Sequence, residues 1–327
     1  MSARPVLLAL LAGAIGLIVY LAASNDGTPQ KLLQDARESL LRGDEERALA
    51  QYRRASEIGS GWLDGPLGEA GILAARRRFT QAASILRASA PRAGDHPEAW
   101  RRLGHAFREA RATDEAIQAF SRSLELEPGQ AHVRIELGDL YHLQGRAEEA
   151  EACYRIAGAA LPDDPDRLAG LGRLHASLGR SDSAAVCLES ALLLRPADAD
   201  LLCDYAEALT VRGNHENAIK ALQRALAGDA FHLRSRYLIA RALGAAGRME
   251  ASGRHVEAFR RHRALMDLIE QLEAQVAEDP TAEGYQALSH LYTRIKRDSL
   301  AAKRLMRATC LNPMVTAPQQ MDGAIAH

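Results

Sequence analysis

Small and bulky apolar residues recur along this chain at a fixed interval. Alanines stand 34 residues apart at Ala48, Ala82, Ala116, Ala150, Ala184 and Ala218, and a period of that length marks stacked supersecondary units. Because the chain is rich in alanine, neighbouring columns test the register. Four residues after each alanine comes a bulky side chain: Tyr52, Leu86, Phe120, Tyr154, Leu188 and Leu222. Twelve residues before each comes a very small one: Ala36, Ala70, Gly104, Gly138, Gly172 and Ala206. The three columns predict two helices that touch where only a methyl or a hydrogen fits, with the large side chain filling the space beside the contact.

Each repeat resolves into a helix A, a turn and a helix B. Trp100, Leu103, Gly104 and Phe107 fall at i, i+3, i+4 and i+7 on one helical face. Ala116 and Phe120 then mark the facing stripe of helix B, and Pro128 stops it. Starts at Pro29, Leu63, Pro97, Ala131, Pro165, Ala199 and Leu233 place seven contiguous repeats over residues 29–266. In the first two, Asp35 and Glu69 occupy the core leucine position, and Pro66 and Gly71 fall inside a helix A, which predicts looser packing. The seventh has Ser252 for its alanine and Phe259 at the next small position. A stripe of Leu265, Leu268, Ile269, Leu272 and Val276 then prolongs its helix B across residues 267–281. That stripe reads as a capping helix packed on the last repeats, with a dimerising coiled coil as the alternative. Tyr285, Leu288, Ser289, Tyr292, Ala301, Leu305, Ala308 and Pro313 restore the spacing as an eighth repeat over 282–315, and 316–327 reads as a flexible tail.

Trp100 to Pro128 follows the pattern W-x2-L-G-x2-Y, A-x3-F, P, with Phe107 for the tyrosine. The fourth repeat follows it through Leu137, Gly138, Tyr141, Ala150, Tyr154 and Pro162. The fifth does so through Leu171, Gly172, Ala184, Leu188, Ala191 and Pro196, with His175 replacing the aromatic, and the sixth through Tyr205, Ala206, Leu209, Ala218, Leu222 and Ala225. The chain thus resembles the tetratricopeptide repeat family over nearly all of residues 29–315. The resemblance implies an all-α fold, a right-handed α-solenoid of about eight helix–turn–helix units. It also implies that helix A lines a concave groove through its second, fifth, ninth, twelfth and thirteenth positions. Carried over, those positions give partner-binding residues Arg101, His105, Arg108, His132, Asp139, His142 and Arg173, then Glu207, Tyr237, Arg241, His290 and Arg294. The family's clamp for chaperone tails needs Lys and Asn where this chain has Arg101 and His105, so that ligand is not implied. An Arg and His stripe in repeats three to five suits an acidic or C-terminal peptide segment, with a solvated inner face that has no dedicated ligand as the alternative.

Hydropathy adds one element before the repeats. After a short flank, residues 1–4, the stretch 5–23 is free of charge and just long enough for a transmembrane helix, and 24–28 form a linker. An uncleaved signal-anchor suits this length, and a cleaved signal peptide is the alternative. Arg4 precedes the stretch while Lys31, Arg37 and Arg42 follow it within a folded domain. Large domains translocate largely regardless of charge. The expectation is therefore a single-pass protein of a bacterial inner membrane with periplasmic repeats, the cytoplasmic placement being the alternative.

Composition narrows function mainly by exclusion. With 41 basic and 42 acidic residues the formal net charge is −1, and aromatics make up 5%, so neither a global field nor stacking platforms point to nucleic acid. Cys153, Cys187, Cys203 and Cys310 form no metal spacing. They read as small buried hydrophobes, with a Cys187–Cys203 bridge or thiol carrier as the alternative. The histidines form no HExxH, no glycine-rich turn follows a strand, and acidic pairs such as Glu148 and Glu149 suit helix starts. The expectation is no catalytic residue, cofactor or metal. The predicted role is a non-enzymatic scaffold that binds protein or peptide partners to support a cell-envelope or secretion complex. The alternative is a docking or regulatory subunit for an inner-membrane enzyme.

Overall fold

The computed structural model describes residues 28–58, 63–279 and 281–295, and beyond them 300, 301, 304, 305 and 308. Among these residues the regular structure is helical throughout. The A and B helices alternate as α1 (Pro29–Arg42), α2 (Glu45–Ile58), α3 (Asp64–Ala75), α4 (Phe79–Ser89), α5 (Pro97–Glu109), α6 (Thr113–Leu126), α7 (Ala131–Leu143) and α8 (Ala147–Ala160). They continue as α9 (Pro165–Ser177), α10 (Ser181–Leu194), α11 (Ala199–Val211), α12 (His215–Gly228), α13 (Leu233–Ala245), α14 (Met249–Glu278) and α15 (Ala282–Arg294). The chain divides into two compact bodies, Met1–Pro162 and Asp163–His327. The first holds α1 to α8 and the second α9 to α15. Within each body every A helix from α1 to α13 packs on its own B helix, and A helices of successive repeats touch, α3 with α5, α9 with α11 and α11 with α13.

Close approach of A and B explains the small columns. All six alanines of the 34-residue register are 0% exposed. A Cβ on Gly104 would stand 2.6 Å from Phe120 Cδ1, and one on Gly172 would stand 2.5 Å from Leu188 Cγ. The bulky side chain of helix B therefore lies directly on the small residue of helix A, not beside the contact. The A–B turn is also built alike. Gly145 closes α7 in the left-handed region, φ 75°, where its N–H bonds to the His142 carbonyl and the Arg146 N–H to that of Tyr141, each at 2.9 Å. This is a Schellman stop, which favours glycine. Arg77 and Arg111 hold the same column at φ 60° and 55°, a conformation costing a residue with a Cβ about 1–2 kcal/mol.

The second repeat tolerates its departures for local reasons. Pro66 lies in the first turn of α3, where a helix N–H has no intrahelical partner to lose. Glu69, in the leucine column, is buried but accepts from Arg53 Nε at 2.6 Å.

Helix α14 runs for 30 residues. Ala251, near its start, lies against the core formed by α9 to α13, whereas Ile269 and Val276 are buried with Leu288, Tyr292, Ile295 and Ala301 of the last repeat. Leu265 and Leu272 pack on that second cluster, and Glu273 accepts from Tyr292 Oη at 2.8 Å and pairs with Arg304. Most of the apolar stripe is thus packed inside the chain. Leu268 stays 49% exposed. Pro313, Cys310 and the tail 316–327 lie outside the described residues.

The inner-membrane location requires correction. Among the described residues, no helix is long and apolar enough to cross a membrane. α14 has the length, but charged residues recur along it. The stretch 5–23, which suggested a transmembrane helix and membrane attachment, lies outside the described residues. The periplasmic placement and the envelope or secretion setting depended on that stretch and are not retained.

Candidate functional site

All twelve residues implied as partner-binding lie on A helices, six in each body. In the first body, α5 carries Arg101, His105 and Arg108, and α7 carries His132, Asp139 and His142. Arg101 is not a free cation: its Nε and an Nη donate to the two Glu98 oxygens at 2.8 and 2.6 Å. This fork in turn holds the Glu98 carboxyl below the usual carboxylate range. Arg108 is ion-paired with Glu136 of α7. His105 meets the Phe120 ring edge-on at 5.1 Å. Burial, then the neighbouring Arg108 and Arg101, push its pKa below the ordinary imidazole value, which favours the neutral ring. Asp139 accepts from Tyr154 Oη at 2.6 Å, while His132 is exposed and His142 half-buried. The expected positive stripe is therefore a set of closed ion pairs around a neutral imidazole.

The second body ties its A helices together by charge. Asp204 of α11, its side chain only 7% exposed, lies 3.5 Å from Arg173 of α9 and also pairs with Arg234 of α13. Arg234 reaches Glu207 of α11 as well. Burial alone would disfavour the Arg234 charge, but Asp204 and Glu207 outweigh it and raise its pKa. Tyr237 and Arg241 of α13 behave differently. Tyr237 is 49% exposed, 5.9 Å from the Phe259 ring, and the Arg241 guanidinium lies 5.7 Å from its centroid. Among the described residues no carboxylate pairs with Arg241. His290 and Arg294 are exposed on α15.

Sequence reasoning found the cations and missed the acids that hold them: Glu98, Glu136, Asp204 and, through Arg102 at 2.7 Å, Asp64. The signal was available as opposite charges about one repeat apart, as in Arg173 with Asp204 and Arg234 with Asp204. A buried polar chain was also missed. His232 Nδ1 is 2.6 Å from Ser235 Oγ, which is 3.1 Å from Cys203 Sγ, and His232 Nε2 is 3.5 Å from Asp200. Serine, histidine and aspartate in this order invite a catalytic reading, but Ser235 and Cys203 are 0% exposed. The chain links α11 to α13. Cys153, Cys187 and Cys203 are free thiols, so the Cys187–Cys203 bridge is not formed. Burial pushes the Cys203 thiol up to about 11, away from the reactive thiolate.

Paired helices in a 34-residue register, a small-on-bulky contact and a Schellman turn in repeat after repeat have counterparts among known proteins. One tetratricopeptide repeat model matches residues 107–174, and a second matches 67–131 and 170–232. No curated protein matches the chain. Among solved structures, an IFIT1 monomeric mutant with Gppp-AAAA is 15% identical, with a TM-score of 0.53 over 86% of this chain and 71% of that one. The Cut9–Hcn1 hetero-tetramer of APC/C is 19% identical, TM-score 0.48, over 87% and 53% of the respective chains. MamA is 19% identical, TM-score 0.44, over 49% and 94%. At such identities the likeness concerns the fold alone. Because the two models together span the continuous repeats from 67 to 232, with the same pairing of helices on either side, the chain belongs to the tetratricopeptide repeat family.

Proposed function

We propose that this chain is a non-enzymatic scaffold that holds a segment of a partner protein on the polar faces of its A helices. The tetratricopeptide fold is one of protein–protein interaction, and repeats of this family are generally non-catalytic. One observation carries the finer reading: the A-helix cations of the first body are held in surface ion pairs, Arg101 with Glu98 and Arg108 with Glu136. Such pairs contribute only about 0–1 kcal/mol. A partner carboxylate can therefore replace Glu98 or Glu136 at small cost and gain a bidentate arginine contact. With His105 neutral, recognition depends on geometry more than on a positive field.

A photo-crosslinking residue at exposed His132 on α7, compared with one at exposed Glu189 on α10, tests this in intact cells. The expected result is a discrete adduct from position 132, lost when Arg101→Glu and Arg108→Glu are combined, and none from 189. Adducts from 189 alone, or adducts from 132 that survive the double charge reversal, would sink the reading.

A further inference from the structure

Among the described residues, the end face of α13 and α14 repeats, with no A helix laid over it in register, a surface that the following A helix covers in the two preceding repeats. Tyr237 stands in the column of Ala169 and Cys203, which are 3% and 0% exposed. Cys203 is covered by α13 itself, its Sγ lying 3.1 Å from Ser235 Oγ. Tyr237, by contrast, is 49% exposed. Phe259 likewise stands where the preceding B helices carry Ala191 and Ala225, 0% and 1% exposed. At residue 267, one repeat after Leu233, where the next A helix would begin, the chain is still in α14, and α15 begins only at Ala282 and packs on α14. The seventh repeat thus presents an aromatic pair where its predecessors present small, covered residues.

Charge follows the same columns. Arg173, Glu207 and Arg241 are successive members of one position. Arg173 pairs with Asp204 on the next A helix, and Glu207 pairs with Arg234 on the next. Arg241 has no carboxylate partner among the described residues and lies over Tyr237. Exposed Arg260, one residue beyond Phe259, has none either. The position that elsewhere reaches forward to an opposite charge on an incoming helix is here an unmatched cation.

We propose that Tyr237, Phe259 and Arg241 form a docking site for an amphipathic helix of a partner protein, which takes the place of the missing A helix and presents a carboxylate to Arg241. Apolar side chains of that helix cover Tyr237 and Phe259 as α13 covers Cys203, removing aromatic surface from water. Helix-in-groove recognition of this kind is read through anchors one and two turns apart. The site is separate from the A-helix ion pairs of the first body and stands independently of them.

The test uses the full chain and a stapled helical peptide copying residues 198–212, the acidic A helix of the sixth repeat, with Cys203→Ser to prevent oxidation. A second peptide carries Asp204→Lys and Glu207→Lys. Fluorescence anisotropy is expected to show saturable binding of the acidic peptide, weakened at least about tenfold by Tyr237→Ala, by Arg241→Glu and by the charge-reversed peptide. Both substituted side chains are substantially exposed, so helical circular dichroism should be unchanged. Were Tyr237→Ala to unfold the protein, Arg241→Glu alone decides. Equal binding by wild type and Arg241→Glu, or no binding of the acidic peptide at millimolar concentration, overturns the proposal. So does a concentration-dependent dimer in sedimentation that Arg241→Glu abolishes, because the occupant would then be a second copy of this chain.

Discussion

The fifth and seventh repeats share a register and differ in what surrounds their B helices. In α10, Ala184 and Leu188 are fully buried between α9 and α11, and the helix ends after 14 residues. In α14, Ser252 and Val256 hold the same columns only partly buried, and the helix runs for 30 residues. The difference shows that the small-and-bulky code depends on a neighbour at each side. Where the following A helix is delayed, serine and phenylalanine become tolerable in columns otherwise restricted to small residues.

The largest expected contrast comes from truncating leucines. Leu188→Ala should cost about 2–5 kcal/mol in urea denaturation followed by circular dichroism. Leu268→Ala, on the exposed side of the prolonged helix, should stay within about 0.5 kcal/mol. Comparable losses would mean that α14 is enclosed as α10 is. Glycine substitutions should next give opposite signs. Gly172→Ala drives a Cβ to 2.5 Å from Leu188 Cγ, and overpacking of about 1–3 kcal/mol should exceed the gain in helix propensity. Gly253→Ala meets nothing within 4 Å and should stabilise by about 0.8–1 kcal/mol. A shared sign in thermal melts would remove the distinction.

Ser252→Ala restores the alanine register but deletes the bond from Ser252 Oγ to the Ala240 carbonyl at 2.8 Å. Its expected cost is about 0.5–1.5 kcal/mol. A gain in stability would mean that the register, not the bond, governs this position. The smallest effect concerns pH. His255 and His262 occupy the columns of Cys187 and Leu194. Burial lowers both imidazole pKa values, and Arg236 lowers them further, joined by Arg254 at His255 and opposed by Asp229 at His262. Unfolded histidine takes its proton near about pH 6.5, whereas the folded ring takes it at lower pH. The unfolded state therefore binds more protons in that window, and stability should be full above it and fall as pH drops through it. Replacing both residues by glutamine should flatten this acid limb in denaturation midpoints measured from pH 8 to 5. An unchanged slope would assign it to other groups.

Much of the helical pairing was legible because its causes are local and periodic: a glycine under Phe120, Tyr154 and Leu188, an alanine in the same column of the first, second and sixth repeats, a turn after each helix A. The occupants of the A-helix faces were half legible. Arg101, Arg108 and Arg173 could be found from position within the repeat. That each meets a carboxylate depends on side chains from the same helix or the next repeat, Glu98, Glu136 and Asp204, and no single-repeat template contains them. The exposed Tyr237 was placed on a face by position, but its exposure follows from the late start of α15. The burial of Ser235 beside Cys203 depends on two repeats together and had no signature in either.

Helix α14 belongs to two hydrophobic clusters, lying against one through Ala251 and entering the other through Ile269 and Val276. A repeat array approximates a row of units, each stabilised by its nearest neighbours, so terminal units open first and independently. A rigid rod shared by two clusters alters that rule. Loss of the last cluster strips apolar cover from the far half of a helix whose near half is still held, and melting must either stop within a continuous hydrogen-bonded ladder or proceed along it. Hydrogen exchange along α14 should therefore form a single cooperative block with α15, making the final repeat a partner in the unfolding of the seventh.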